Sequence, residues 1–394
     1  MEELGKVDTH LHTCYSGFQR LGPMRFPESV CSPERQVDLA RRRGFDVLCI
    51  TDHNEVAGGF IAEKYARKFG DIDVVVGDEV MTNQGEVIGL WLSEKLPRFL
   101  SPEEAVDRIH EQGGLAIAPH PFSMHVDGMQ EKMFDLPIEG FETINGGHPD
   151  RYANWFAQQV MERHPGRWAA VSGSDAHSVY TSGYNWTEFP GNSAEDFRRA
   201  ILDRTTVPVG VPAPVLGQVQ WSIDVVIGGQ KLMWRSLRHR LEPVPDNHLV
   251  NTVCEISDVK KIAGIFGGMA YAFPPLTILA TLLSVGYLGI RNRKLRRAAA
   301  ERLGNIDRII AGREDGRRGA RRGVRRRRER PRGVPRGAHG RHRLRYGAGV
   351  PRVQEVVLLL PREGDVDRTR GGAPVRWKGG GDHGRRRVPP AVRG

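Results

Sequence analysis

Short β-rich runs alternate with helical stretches along the first half of the chain, and this alternation limits the folds open to it. The runs are 45–51 (FDVLCIT), 72–77 (IDVVVG), 87–92 (VIGLWL), 115–118 (LAIA), 140–144 (GFETI) and 168–172 (WAAVS). Helix starts stand between several of them. Ser101 precedes Pro102 with Glu104 three residues on, and Ser193 precedes FRRAILDR with Asp196 in the same relation. Both have the form of a capping box, in which side chains satisfy the free N–H groups of the first turn. Ser32-Pro33 opens ERQVDLARRRG, which Gly44 can close. Strand–helix alternation from Lys6 to about Pro212 predicts a parallel α/β sheet or barrel.

What stands at the ends of these runs is chemical. KVDT leads into His10-Leu11-His12, FDVLCIT into Asp52-His53-Asn54, and IDVVVG into Asp78-Glu79. LAIA leads into Pro119-His120-Pro121, GFETI into Asn145, and WAAVSGS into Asp175-Ala176-His177. In an α/β barrel the C-terminal strand ends converge on one face, where active sites are built. Imidazoles with carboxylates and no cysteine suit divalent ions such as Zn²⁺, Mn²⁺ or Fe²⁺. Two histidines at i and i+2 on an extended segment point to one side and can grip one ion. Glu79 or Asp175, with two oxygens each, can bridge two ions. A single HxH or DxH is ordinary; the ordered series at strand ends is not explained by packing.

DTHLHT, TDHN, GDE, APHP and GSDAH, in this order, resemble the PHP (polymerase and histidinol phosphatase) superfamily. GEVIGLWL, GFETING and TEFPGNSAEDFRRAI extend the similarity, which covers residues 6 to about 210 and is nearest to the group of small nucleotide phosphoesterases. The resemblance implies a distorted (βα)7 TIM-like barrel, two or three divalent metal ions (Mn, Zn or Fe) and hydrolysis of a phosphorylated small molecule or nucleotide. It would place His10, His12, Glu79 and Asp175 around one ion and His53 at a second, with Glu79 bridging. His120 and His177 would complete the cluster. Asp52 would orient His53 or ligate directly, and Asn145 would contact metal or substrate.

Two departures bear on a third ion. Relatives carry HTxxSDG where this chain has Gly17 after Ser16, so the aspartate is missing. Many relatives have a histidine where this chain has Glu86, which can still ligate. Such ions lower the pKa of water from 15.7 toward about 7, giving a hydroxide that attacks phosphorus. His125 and His177 are positioned as proton donors, and Arg20 and Arg25 as a phosphate clamp, with Arg20 close enough to the chemistry to count as catalytic. Two other readings stay open: a metal-binding module without catalysis, supported by Gly17, and an amidohydrolase-type metal hydrolase.

The net charge of +11 is misleading. Residues 313–394 hold 24 Arg and 1 Lys against 8 acidic residues, or +17, which leaves the first 312 residues at −6. A nucleic-acid-binding body therefore does not follow from the charge, and nucleic acid enters only as a substrate or through the tail. That tail is a polybasic arm or a shifted-frame translation of GC-rich DNA, and its composition predicts disorder. Cys14, Cys31, Cys49 and Cys254 form no disulfide framework, and Met1–Val7 has no apolar signal, so a cytoplasmic barrel is expected.

Residues 213–261 read as an amphipathic linker. Residues 262–290 carry no charge over 29 positions, long enough to predict a membrane segment. Pro274 and Pro275 interrupt it, so it reads as a kinked span or a re-entrant hairpin. Residues 291–312 follow as a basic juxtamembrane helix, placing the chain at a membrane with its barrel on the cytoplasmic side.

Overall fold

The computed structural model describes residues 4–328 apart from 22–23, 125, 148–150 and 272. The barrel half contains strands β1 (Leu4–Asp8), β2 (Phe18–Leu21), β3 (Met24–Pro27), β4 (Val47–Ile50), β5 (Asp73–Thr82) and β6 (Gly85–Leu90). It continues with β7 (Leu115–Ala118), β8 (Gly140–Asn145), β9 (Ala169–Gly173), β10 (Asn185–Pro190) and β11 (Val207–Gly210). Helices α1 (Pro33–Arg42), α2 (Ala57–Ala66), α3 (Pro102–Glu111), α4 (Arg151–Arg163) and α5 (Ala194–Asp203) connect them. Four more helices follow: α6 (Val215–Leu237), α7 (His248–Glu255), α8 (Asp258–Tyr271) and α9 (Pro274–Arg328).

The predicted helix starts hold in atomic detail. Ser32, Ser101 and Ser193 accept hydrogen bonds from the backbone N–H groups of Arg35, Glu104 and Asp196. At Ser193 the full reciprocal box forms, with Asp196 bonding back to the cap residue.

Among the described residues one sheet runs β11-β10-β1-β4-β5-β6-β7-β8-β9. Its two ends meet: the Ser172 N–H donates to Thr187 Oγ1 at 2.7 Å, and that hydroxyl donates to Ser172 O at 3.1 Å. The result is a nearly closed, barrel-like sheet. It is mixed where an all-parallel one was expected. β1-β4-β5 and β7-β8-β9 are parallel, while β6, β10 and β11 pair antiparallel. The reason for β6 is the length of its connection. Asn83 and Gln84 alone join it to β5, and so short a link allows only an antiparallel hairpin. Gly85 takes φ +98° at its exit, in contact range of the Met129 backbone.

Apolar side chains of the runs pack as read: Val47, Cys49, Val75, Ile117 and Val171 are buried in one cluster with Phe197, Ala200 and Ile201 of α5. The second half of the chain also belongs to this packing. Leu232, Leu249 and Val253 of α6 and α7 close over Cys14 and Tyr15. Ala299, Leu303, Ile306 and Ile310 of α9 join the core that contains Phe122, Phe141 and Phe156. Their spacing of three and four residues makes one helical stripe. Asp307 pairs with Arg163 at 2.6 Å and His164 at 3.0 Å, and Arg302 with Glu131 at 2.7 Å. Residues 291–312 thus form part of a helix docked on the barrel. Ile306→Ala should cost about 2–4 kcal/mol by cavity formation, read as a shift in the denaturant midpoint at constant slope.

The uncharged run 262–290 is divided between α8 and α9. Prolines 274 and 275 occupy the first turn of α9, where a missing N–H costs nothing, and the chain breaks just before them. Among the described residues no helix is long and apolar enough to cross a membrane. The expected spanning segment is corrected accordingly. Residues 313–328 continue α9, and the rest of the expected disordered tail, 329–394, lies outside the described residues.

Candidate metal centre

The strand ends converge as the spacing implied. Four overlapping sets of side-chain donors form: His10 with His12 and Asp175; His10 with Glu79 and His120; His12 with His53 and His177; His53 with Glu79 and Glu86. Within each set the donor atoms lie within 4.8 Å of one another. Glu79 sits at the centre. Its Oε1 is 3.0 Å from His120 Nε2, and its Oε2 is 3.2 Å from His10 Nε2, 3.3 Å from His12 Nε2 and 3.2 Å from His53 Nδ1. The Nε2 atoms of His10 and His12 face each other at 3.0 Å. His120 and Asp175 hold φ of +28° and +48°, backbone conformations that cost a residue with a side chain of order 1 kcal/mol or more.

A layer of hydrogen bonds decides which imidazole nitrogens face this centre. His10 Nδ1–H donates to Glu142 Oε1 at 3.0 Å, leaving the Nε2 lone pair inward. Ser16 Oγ donates to Asp52 Oδ1 at 2.7 Å and therefore accepts from His12 Nδ1–H at 2.9 Å. His177 Nδ1–H donates to the Asp175 carbonyl at 3.0 Å. Asn145 Nδ2 bridges Glu142 Oε2 at 2.9 Å and Asp175 Oδ2 at 3.1 Å. Such partners fix tautomer and orientation, and losing one typically costs about 10–100-fold in metal affinity. Glu142→Gln should weaken Mn²⁺ or Zn²⁺ binding by that factor, measured by calorimetric titration.

These contacts revise several assignments. Asp52 neither faces His53 nor joins a donor set; its two oxygens are taken by the Thr13 N–H at 2.5 Å, the Thr13 hydroxyl at 2.6 Å and Ser16. It orients His12 through Ser16. Asn145 ties carboxylates together instead of pointing to a substrate. His177 gives its Nδ1 proton to a backbone carbonyl, and burial with the neighbouring His12 pulls its pKa down, so it suits holding a cation better than donating a proton. Arg25 lines the cavity in front of the cluster. His125 and the Arg20 side chain lie outside the described residues.

Glu142 and Glu28 were not identified from the sequence. Glu142 interrupts the apolar run GFETI, and a charge inside a buried strand is the signal that could have found it. Glu28 follows β3 and stands 3.2 Å from His53 Nε2 and 3.6 Å from His177 Nε2. Its loop carries no comparable signal. Trp221 of α6 packs on His177 with ring centroids 5.4 Å apart and donates to the Glu28 carbonyl at 3.0 Å.

The electrostatics fit a cationic occupant. Burial pulls His10 and His53 down, yet their carboxylate neighbours outweigh it and raise both well above the usual imidazole range. Burial raises Glu79, but His10 and His53 outweigh that and hold it ionised. Glu86 is pushed well up by burial and then by Glu79. Carboxylates in excess, buried with Nε2 nitrogens turned inward, form a donor set that divalent ions of the Mn, Zn or Fe kind satisfy once the imidazolium protons leave.

Asp78 lies just outside. It is pushed up to about 7 by burial, and its Oδ2 accepts the Leu96 N–H at 3.0 Å. The folded chain then keeps a proton that the unfolded chain releases near pH 4, so this residue's contribution to stability falls as pH rises from about 4 to about 7, by on the order of 4 kcal/mol. Asp78→Asn should flatten that part of the stability curve, measured by urea unfolding at pH 5 and pH 8 in chelator.

A family described as PHP-associated matches residues 151–206. The uncharacterized protein MJ1587 of Methanocaldococcus jannaschii is 45% identical over 149 residues, 38% of this chain and 86% of its own length. A candidate metal-dependent phosphoesterase from Bifidobacterium adolescentis superposes with a TM-score of 0.37 at 14% identity, over 52% of this chain and 98% of that one. An amidohydrolase from Chromobacterium violaceum does so with a TM-score of 0.36 at 16% identity, over 54% and 95%. At 45% identity over most of the length of MJ1587, the chain belongs to the same family as that protein, and its residues 151–206 match the PHP-associated family.

Proposed function

We propose that this chain is a metal-dependent phosphoesterase. One observation carries the reading: Glu79 is shared by two donor sets, one oxygen toward His120 and the other toward His10, His12 and His53. A carboxylate so placed suits two neighbouring cations, the arrangement used for in-line displacement at phosphorus. Bound ions would supply the Lewis acidity that makes water a nucleophile near neutral pH. The chain's own residues do the rest. Glu142 and the Asp52–Ser16 pair hold His10 and His12 with Nε2 inward, Asn145 fixes Asp175, and Arg25 adds positive charge at the mouth of a cavity of about 520 Å³. Phosphorylated small molecules or nucleotides fit its size.

The test uses the full chain with Mn²⁺ or Zn²⁺ and nitrophenyl phosphate mono- and diesters. Turnover that EDTA removes and metal restores is the expected result, and the monoester-to-diester ratio defines the substrate class. Stoichiometric metal without turnover would instead support a binding module. Hydrolysis of amides alone would support the amidohydrolase alternative.

We also propose a lipid surface as partner, without a spanning helix. Ile262, Phe266, Met269, Leu279, Leu282, Leu283 and Tyr287 are exposed along α8 and the start of α9, and Lys260, Arg291, Arg293 and Lys294 flank them. An apolar surface rimmed by basic residues suits the interface of an anionic leaflet, with the barrel on the cytoplasmic side. Phe266→Asp with Leu282→Asp should abolish co-sedimentation with phosphatidylglycerol-containing vesicles; binding unchanged by both would exclude this surface.

A further inference from the structure

We propose that the cavity beside the metal centre contains an anion subsite, formed by Arg25, Arg98 and His248, which holds a second, non-reacting anionic group of the substrate. The proposal rests on the phosphoesterase reading and narrows its substrate class to esters with a remote phosphate or carboxylate.

The cavity has two chemically different sides. Glu28, His53 and Glu86 line it on the side of the metal centre. Arg25, Arg98 and His248 also line it, and they come from three separate places: β3, the loop after β6, and the first residue of α7. No ion pair engages any of these three among the described residues. His248 is nevertheless held in position. Its ring meets Phe18 edge-on at 5.9 Å, and Asn247 caps the helix that begins with it by accepting the Val250 N–H. Burial and then the charges of Arg98 and Arg25 lower its proton affinity and outweigh the opposite pull of Glu255.

Gly17 removes the carboxylate that would have offset this charge. It takes φ +91°, a conformation suited to glycine, and a Cβ built on it would lie 3.6 Å from His248 Cδ2. In the similar family an aspartate stands at this place in the motif. Here the position is left without a side chain, and α7, from beyond the barrel, brings an imidazole to it. The departure that removes a potential metal ligand also leaves Arg25, Arg98 and His248 without a carboxylate at position 17 of the cavity wall. Two guanidinium groups and an imidazole around one open space are matched by a phosphate or carboxylate, to which Arg can bond in bidentate fashion.

Phenyl phosphate and 4-carboxyphenyl phosphate share a scissile ester and differ in a remote carboxylate, so they isolate the subsite. With the full chain and Mn²⁺, kcat/KM should favour the carboxylated ester by about tenfold, mostly in KM, the gain expected of one charge-assisted contact. R98A and H248A should each bring the ratio to about one, and R98K should retain part of it. A ratio near one in the wild type, or one unchanged in both alanine variants, overturns the proposal. If neither ester is hydrolysed, the phosphoesterase reading fails and the subsite is judged by binding instead. Inorganic pyrophosphate titrated calorimetrically into the EDTA-treated full chain should bind at least about fivefold more weakly to R98A and H248A. Equal affinity for all three proteins would overturn the subsite itself.

Discussion

Asp175→Asn should lower kcat/KM for the proposed phosphoester hydrolysis by about a thousandfold or more, a loss of about 4 kcal/mol of transition-state stabilisation. The substitution keeps the shape of the side chain, and its amide oxygen can still accept from Asn145. What it removes is the negative charge that stands 3.5 Å from His10 Nε2 and 3.3 Å from His12 Nε2. The same variant should bind less Mn²⁺ per chain while retaining the circular dichroism and unfolding midpoint of the wild type within about 1 kcal/mol. His10→Ala should lose as much activity, but it also leaves Glu142 Oε1 without its buried donor and is the less clean variant. Wild-type turnover in Asp175→Asn would remove the strand-end cluster from the chemistry.

Truncation after residue 212 should abolish cooperative folding, whereas truncation after 312 should preserve it. The last barrel strand ends at Gly210, yet Leu232, Leu249, Val253, Leu303, Ile306 and Ile310 are buried against the barrel. At about 2 kcal/mol each, their loss approaches the whole stability of an ordinary domain. The shorter chain also loses Trp221, which packs on His177, and His248, which lines the cavity. Urea unfolding followed by tryptophan fluorescence and circular dichroism decides the matter. A sharp transition in residues 1–212 at the full-length midpoint would mean that α6 to α9 contribute little to the barrel.

Much of this protein was legible before its structure. Five of the six β-runs became strands nearly at their expected bounds, while β5 runs on to Thr82 and carries Asp78 and Glu79 within it; the serine caps formed where the spacing placed them. Seven donors expected from strand ends, namely His10, His12, His53, Glu79, His120, Asp175 and His177, meet in overlapping sets with Glu86, which the family resemblance had supplied. Asp52 was misplaced because its neighbour His53 suggested a pair, while the chain turns it toward Thr13 and Ser16. The apolar run 262–290 was read as a kinked span or a re-entrant hairpin, its length outweighing Pro274 and Pro275, whereas in the fold Pro274 starts a new helix.

The sequence by itself determined the alternation of elements, their caps and the polar residues at strand ends. These depend on backbone propensities and on side chains within a few positions of one another. The tertiary structure alone decided that the sheet closes with antiparallel β6, β10 and β11, that Glu142 and Glu28 complete the cluster, and that α9 docks on the barrel. It also decided which residues reach the cavity from afar: Trp221 bonds to Glu28 across 193 residues, and His248 meets the loop that begins at Gly17. A buried polar group must find a partner wherever the closed chain supplies one, and local sequence carries no record of that distance.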